Sequence, residues 1–348
     1  MTKTTRVMLA VLAVCGTSAA MAQSSVNLYG RINTSIESTK IGNDRVSEMS
    51  TNSSFIGFRG TEDLGNGLKA GFVLEGNFNS DDGAGSDNGA FNFKRNSEIN
   101  LSGNFGMVRM GAFDPYSYTV TADTISMHNH DTGITADALY NHVALGGNKL
   151  AYVTPTIAGF TGQVQYLFGE KAGAPTEEYK GGWDLGVDYA NGPLGLGFGY
   201  SQIKGDDLVG TDDWKDSQFA LRGSYAIGDL TLGAYYQRQK FDFGADDAKR
   251  NVYRVAAMYK LGASEFHANV GRADKLKVNG TKLNDTAATQ WTLAYNYNLS
   301  KRTKVYTFYT NINNVTGTAS GIADAFDAGS IPAKEKLRSF GVGIRHLF

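Results

Sequence analysis

The sequence predicts an all-β fold, a sixteen-stranded antiparallel transmembrane β-barrel, and three observations predict it. Apolar and polar residues alternate with a period of two in segments spread over every quarter of the chain. The connections between these segments alternate between short turns and long polar stretches. Finally, 43 glycines with 5 prolines, 18 tyrosines and 19 phenylalanines fit many short strands and turns, and the glycines lack the three-residue period of a collagen.

The first element is not part of the fold. A basic MTKTTR, the apolar run Val7 to Cys15 and the small-residue site Ala20-Met21-Ala22 have the order of a secretory leader, so residues 1–22 are expected to be a signal peptide and 23–348 the mature domain. Nine apolar residues are too few for a spanning helix, which needs roughly 18 or more. Removal of Lys3, Arg6 and Cys15 with the leader leaves 31 basic and 34 acidic residues and no cysteine. That excludes thiol catalysis and thiolate metal sites, and the mild acidity gives no electrostatic case for nucleic acid. No Pro/Ser linker or charge block divides the 326 mature residues, so one domain is the simpler reading.

The first strand is predicted at Val26 to Glu37, where Val26, Leu28, Ile32 and Ile36 alternate with Asn27, Arg31, Asn33 and Glu37. Hairpin-like pairs follow at 53–63 and 67–76, then 91–102 and 107–112, then 150–156 and 160–168. The remaining strands are expected at 183–189, 194–202, 217–227, 230–239, 251–261, 264–272, 289–299, 303–312 and 339–348, which makes sixteen, an even number that suits closure. Short turns such as "ANGP", "AIGD" and "KLGA" alternate with long stretches around 38–52, 77–90, 113–148, 169–181, 203–216, 240–250, 272–288 and 313–337. Short turns on one rim and long loops on the other describe a barrel of the bacterial outer membrane.

The hairpin "SSFIGFRGTEDLGNGLKAGFVLEG" decides which face is wet. Ile56, Phe58, Leu68, Ala70, Phe72 and Leu74 share one parity, and Arg59, Lys69 and Glu75 share the other. In a soluble sandwich the apolar face would meet a second sheet; here the other face carries Arg, Lys, Glu, Asn and Gln along strand after strand. The apolar face is therefore assigned to lipid and the polar face to a water-filled lumen, because a bilayer tolerates strands only when every backbone group is paired.

The segments "SSVNLYGRI", "IGFRGTEDLGNGLKAGFVLE", "FKRNSEINLSGNFGMVRMG", "YVTPTIAGF", "YANGPLGLGFGY" and the terminal "GVGIRHLF" together resemble the general porins of Gram-negative outer membranes, of the beta-proteobacterial type found in Bordetella, Burkholderia and Neisseria. The resemblance runs from Ser24 to Phe348. It implies a homotrimer of sixteen-stranded barrels, each passing small hydrophilic solutes and ions by passive diffusion, with no cofactor and no catalysis. It also implies that the third long loop, residues 113–148, folds inward as a constriction, and that the terminal Phe348 is the signal read by the outer-membrane assembly machinery.

Candidate site residues follow from parity. Arg31, Arg59 and Arg109 fall on the wet side of their strands, as do Arg222 and Arg254, and together they suggest a basic wall. Arg95 shares parity with apolar Phe93, Ile99 and Leu101, so a bulge is needed to turn it inward; the resemblance places a pore arginine there, matched by "KRNSE". Opposite the wall, the third loop offers Asp114, Asp123, Asp131 and Asp137, and separated charges across a narrow gap create a field that sorts solutes by charge. For any single charge, an ordinary solvated side chain is at least as good a reading.

Departures from the family stand out. Phe55 in "SFIG" replaces an arginine common in relatives, "ALGGNK" stands where an arginine often precedes the "NS" that ends the third loop, and "GAF" ends in Ala112 and Phe113 where relatives read "GRQ", so the resemblance does not fix an anion preference here. Phe55 and Phe113 are candidates for apolar contact with an organic solute. "HNHD" with His142 raises a metal question at His128 and His130, against the plainer readings of solvated loop polarity and a pH-sensitive constriction. No hydrolase set stands out, although His267 lies on the wet side beside Glu265 and Asn269. An adhesin whose long loops are the functional part remains an alternative.

Overall fold

In the computed structural model the described residues are 25–125, 127–128, 132–133, 135–140, 143, 146–170, 177–207, 213–244, 246–318 and 334–348. The expected leader and its cleavage site lie outside them. Nineteen stretches of strand form one antiparallel sheet that closes on itself. Two of them, Lys277–Val278 and Thr281–Lys282, make a small hairpin above the rim, and two others are halves of one broken strand, so the barrel wall has sixteen strands.

The wall begins with β1 (Ser25–Ile41), the two-part β2 (Asp44–Thr51 and Phe55–Gly65), β3 (Leu68–Asn77), β4 (Asn96–Gly103) and β5 (Gly106–Ala112). It continues with β6 (Lys149–Val153), β7 (Phe160–Glu170), β8 (Glu177–Asn191), β9 (Leu194–Asp207), β10 (Asp213–Ile227) and β11 (Leu230–Phe243). β12 (Asp246–Leu261), β13 (Ser264–Ala273), β14 (Ala288–Asn298), β15 (Thr303–Ile312) and β16 (Leu337–Leu347) complete it. Closure is the pairing of β1 with β16, in register from Arg31 opposite Leu347 to Ile41 opposite Leu337.

Burial separates the two faces as the alternation requires. On β1, Val26, Leu28, Ile32 and Ile36 are exposed on the outside, whereas Arg31, Asn33, Ser35 and Glu37 are buried on the inside. β12 repeats this, with Tyr253 and Val255 outside and Val252, Arg254 and Ala256 inside. An uninterrupted exposed apolar band around a closed sheet costs free energy in water and none in hydrocarbon.

Several predicted boundaries change; β8 begins at Glu177 and β10 at Asp213, inside the stretches expected as loops at 169–181 and 203–216. The stretches expected as loops at 38–52 and 240–250 are mostly continuing strand: β1 runs to Ile41 and turns at Gly42 (φ +57°) directly into Asp44, and β11 reaches Phe243 before β12 starts at Asp246. Beyond the bilayer both faces are wet, so the backbone keeps pairing while the period-two signal disappears. The fourth strand begins at Asn96 rather than at 91, which leaves Arg95 outside the sheet and removes the need for a bulge. The break in β2 at Asn52–Ser54, with Ser53 at φ +53°, exposes a carbonyl that Arg31 satisfies through Nε at 2.9 Å and Nη2 at 2.7 Å. Asn33 Nδ2 donates to the Asn52 carbonyl at 3.1 Å.

Candidate functional site

Between β5 and β6 the chain leaves the wall and runs through the interior. Its first part forms two short helices, α1 (Tyr116–Thr119) and α2 (Ala122–Ile125). Three wall glycines make room for α1. A Cβ on Gly199 would lie 2.6 Å from the Ser117 carbonyl, one on Gly186 3.0 Å from that of Tyr116, and one on Gly197 would run into the Val120 carbonyl. Buried Asp184 on β8 then fastens the segment, accepting from the Ser117 amide at 3.0 Å and from Ser201 Oγ at 2.8 Å.

The loop continues across the later strands. Ile125 packs beside Gly233 on β11, and the His128 ring lies 5.3 Å from that of His267 on β13. Gln290 and Thr292 on β14 donate to the carbonyls of Thr135 at 2.7 Å and Ala136 at 3.1 Å. Leu139 fills a cluster with Val252, Ala273, Ala288, Ile312 and Leu337. Asp137 and Arg254 form a buried ion pair at 2.5 Å, with the guanidinium also over the Tyr140 ring at 4.7 Å and bonded to Gln290 at 2.8 Å.

Among the described residues, the loop's two helices and the stretch from His128 to Tyr140 contact the inner wall from β7 to β15, and Leu139 reaches Leu337 on β16; a separate arc runs from β1 to β6. That arc is basic. Arg59 lies 4.7 Å over the Tyr29 ring, and Tyr29 Oη donates to Glu75 at 2.6 Å. Arg95 bonds the other Glu75 oxygen at 3.0 Å and sits 4.5 Å over Phe55, whose ring Arg31 approaches at 5.4 Å. Arg109 pairs with Glu98 and stacks on Phe113 at 3.9 Å, with Lys149 Nζ 4.8 Å from the same ring and donating to the Phe113 carbonyl. Arg31, Arg59, Arg95, Arg109 and Lys149 thus outnumber Glu37, Glu75 and Glu98. Across the seam, Arg345 lies opposite both Asn33 and Lys304 and extends the basic arc.

The four predicted arginines therefore gather on one arc, although Arg31 is only 7% exposed and has its guanidinium on a backbone carbonyl. The acids do not gather opposite them. Asp114 is exposed and shares a depression of about 370 Å³ with Arg95 and Lys94. Asp123 is half-buried in the first turn of α2. Asp137, expected in the lumen, is 1% exposed and neutralises Arg254 behind the loop, so neither group contributes an open charge. Arg222 is likewise paired, to Asp188 at 2.6 Å. Asp131, His130 and His142 lie outside the described residues.

Phe113 is 4% exposed and covered by cations, which removes it as a contact for solute; Phe55 is half-buried beneath two guanidiniums. Phe348 closes the seam, exchanging backbone hydrogen bonds with Gly30 at 3.2 and 3.3 Å while its ring lies against that glycine. Sequence reasoning missed Lys149, Lys304 and Arg345, although Arg345 alternates with Val342 and Ile344 and was readable by parity. Burial of His128, together with His267, Lys304 and Arg345 nearby, holds its imidazole well below the ordinary value. In the second loop, Lys94 beside Asp87 holds that carboxyl below the usual range.

These features agree with what the chain is similar to. Outer membrane porin protein 32 of Delftia acidovorans is 37% identical over 99% of this chain and 100% of its own length. The solved structure titled anion-selective porin from Comamonas acidovorans superposes with a TM-score of 0.73 at 29% identity, covering 94% of this chain and 100% of that one. A Vibrio cholerae outer membrane protein titled as its trimer form shares the fold, with a TM-score of 0.68 at 19% identity over 93% of this chain and 99% of that one. The family model of Gram-negative porins matches residues 8–317, and the chain belongs to that family, as a diffusion porin of the Gram-negative outer membrane.

Proposed function

We propose that this porin favours small hydrophilic anions, assembles as a homotrimer through its lipid-facing surface and works without catalysis. The observation that carries the selectivity is the basic arc on β1 to β6: Arg59 is exposed and Arg95 and Arg109 are partly exposed, with Arg31 and Lys149 buried beside them, against the three carboxylates Glu37, Glu75 and Glu98. A net positive wall in a narrow aqueous gap concentrates anions and repels cations over roughly 10 Å at 0.1 M salt. The exposed Asp114 supplies the loop's side of the field, and Asp123 and Asp131 are proposed to add to it. The trimer is supported by the trimer form of the Vibrio fold relative. We assign Phe348 as the terminal signal for the assembly machinery, on the family resemblance.

The test is the reversal potential of the purified mature protein in a planar bilayer under a salt gradient, compared with Arg59→Gln/Arg95→Gln. The wild type is expected to open in groups of three and to pass chloride in preference to potassium, with the preference falling about twofold in the variant. A cation-preferring wild type, or a variant with unchanged preference, defeats the charge assignment; a folded protein that carries no current defeats the channel reading.

A further inference from the structure

The outside of the barrel carries a second basic surface, separate from the lumen. At the long-loop end of β11 and β12, Lys240 lies directly opposite Lys249, Lys249 opposite Lys277, and Lys277 opposite Lys282, so four lysines stand in one cross-strand row. Arg238, two residues below Lys240, and Arg272 on β13 flank the row. Arg238, Lys249, Arg272, Lys277 and Lys282 line a depression of about 500 Å³ together with Asp274 and Lys275.

Parity puts the row on the outer face. Arg238 shares its side of β11 with Tyr236 and Leu232, and Lys249 shares its side of β12 with Tyr253 and Val255, the exposed apolar band. The inward neighbours Gln237, Arg250 and Val252 are buried. Arg238 is therefore about 7 Å above Tyr236 along the strand. Tyr236 and Tyr253, with ring centroids 5.3 Å apart, mark the edge of the apolar band as interfacial aromatics do.

Like charges directly opposite each other across a ladder are destabilising unless something neutralises them. Part of that is internal: Lys240 pairs with Asp242 at 2.6 Å, Lys249 with Asp247 at 2.9 Å, and Arg272 with Asp274 at 3.6 Å. Arg238 and Lys282 form no ion pair among the described residues, and Lys277 has only the longer-range attraction of Asp247. A cationic row just above the hydrocarbon edge, on the rim of the long loops, faces the headgroups of the outer leaflet.

We propose that this surface binds the phosphorylated headgroup of an outer-leaflet glycolipid, the lipid A class of lipopolysaccharide. The phosphates sit on the lysine row and Arg238, and the acyl chains descend over Tyr236, Tyr253 and Val255. Six cations in one patch disfavour a second copy of the same face. A solute crossing the lumen never meets it.

The experiment titrates the detergent-solubilised mature protein with bis-phosphorylated lipid A, dephosphorylated lipid A and inorganic phosphate, and reads bound lipid by native mass spectrometry. Wild type is expected to hold the bis-phosphorylated lipid about tenfold more tightly than the dephosphorylated one, and free phosphate is expected not to displace it. Each lysine or arginine near an anionic surface contributes roughly fivefold, reduced by salt, so Arg238→Gln/Lys277→Gln/Lys282→Gln should lose about tenfold or more with unchanged single-channel conductance. Lys277→Gln/Lys282→Gln, confined to the hairpin above the rim, should lose about threefold or more and guards against misfolding of the larger variant. Equal retention by this double variant, equal binding of dephosphorylated lipid, or displacement by phosphate each overturns the proposal; the last would indicate a free-anion site.

Discussion

Phe55 and Phe113 show how a single position changes its job. Each is used here as a platform under cations. A guanidinium over a ring gains about 0.5–1 kcal/mol where water reaches it. Phe55→Leu keeps most of the volume but removes the ring face, so Arg95 should lose one of its three holds, keeping Glu75 and Asn77, and the anion preference should weaken by less than in Arg59→Gln/Arg95→Gln, read as reversal potential. Arg254 is the opposite case, a charge whose function is structural. Removing one partner of a buried pair costs about 3–5 kcal/mol because the other is left uncompensated. Arg254→Met should therefore loosen the third loop, seen as faster protease cleavage within 113–148 in the intact barrel, whereas Arg254→Met/Asp137→Leu should restore most of the resistance.

The third loop stays inside because the wall is cut to receive it. Gly197 and Gly199 leave the space that α1 fills, and a methyl group at Gly197 would occupy the place of the Val120 carbonyl oxygen. Gly197→Ala should thus displace α1 and alter single-channel conductance while the barrel keeps its heat-modifiable mobility in detergent gels. The same loop carries His128, buried against His267 and Phe308 with neither ring nitrogen hydrogen-bonded among the described residues. Lys304 and Arg345 add positive charge, and the folded imidazole titrates well below 6.5. Above 6.5 both docked and undocked states are neutral there; as pH falls from 6.5 toward the depressed value, the undocked state takes up a proton that the docked state refuses. Docking should weaken over that window. Current noise should rise between neutral pH and about pH 5, and His128→Phe should remove the component due to this group.

At the scale of the whole barrel, stability lies in closure. Phe348 pairs with Gly30 in both directions, and its ring covers that glycine on the outer face of the seam. Phe348→Ala keeps the backbone pairs and loses the ring, a truncation of about 3–5 kcal/mol for a well-packed aromatic and less for this partly exposed one. The expected result is a lower refolding yield in detergent, while the fraction that folds conducts normally. An unchanged yield would place the importance of Phe348 in recognition by other proteins alone.

Alternation in the sequence determined the number of wall strands, their faces and the inward parity of Arg31, Arg59 and Arg109, because the bilayer and the lumen impose opposite polarity on neighbouring residues. It failed where that contrast ends: above the bilayer both faces are wet, so β1 and β12 run on unseen, and Arg95 was assigned to a strand that starts after it. The candidate site was half legible. Side-chain parity points Arg254 inward and the family resemblance puts Asp137 on the inward loop, but neither says that the loop brings them together and withdraws both charges. Nor does it say that Lys149 and Lys304 lie buried beside the basic arc. Those facts depend on which strands the loop covers, and that is decided by contacts between residues more than a hundred positions apart, such as Ala136 with Thr292.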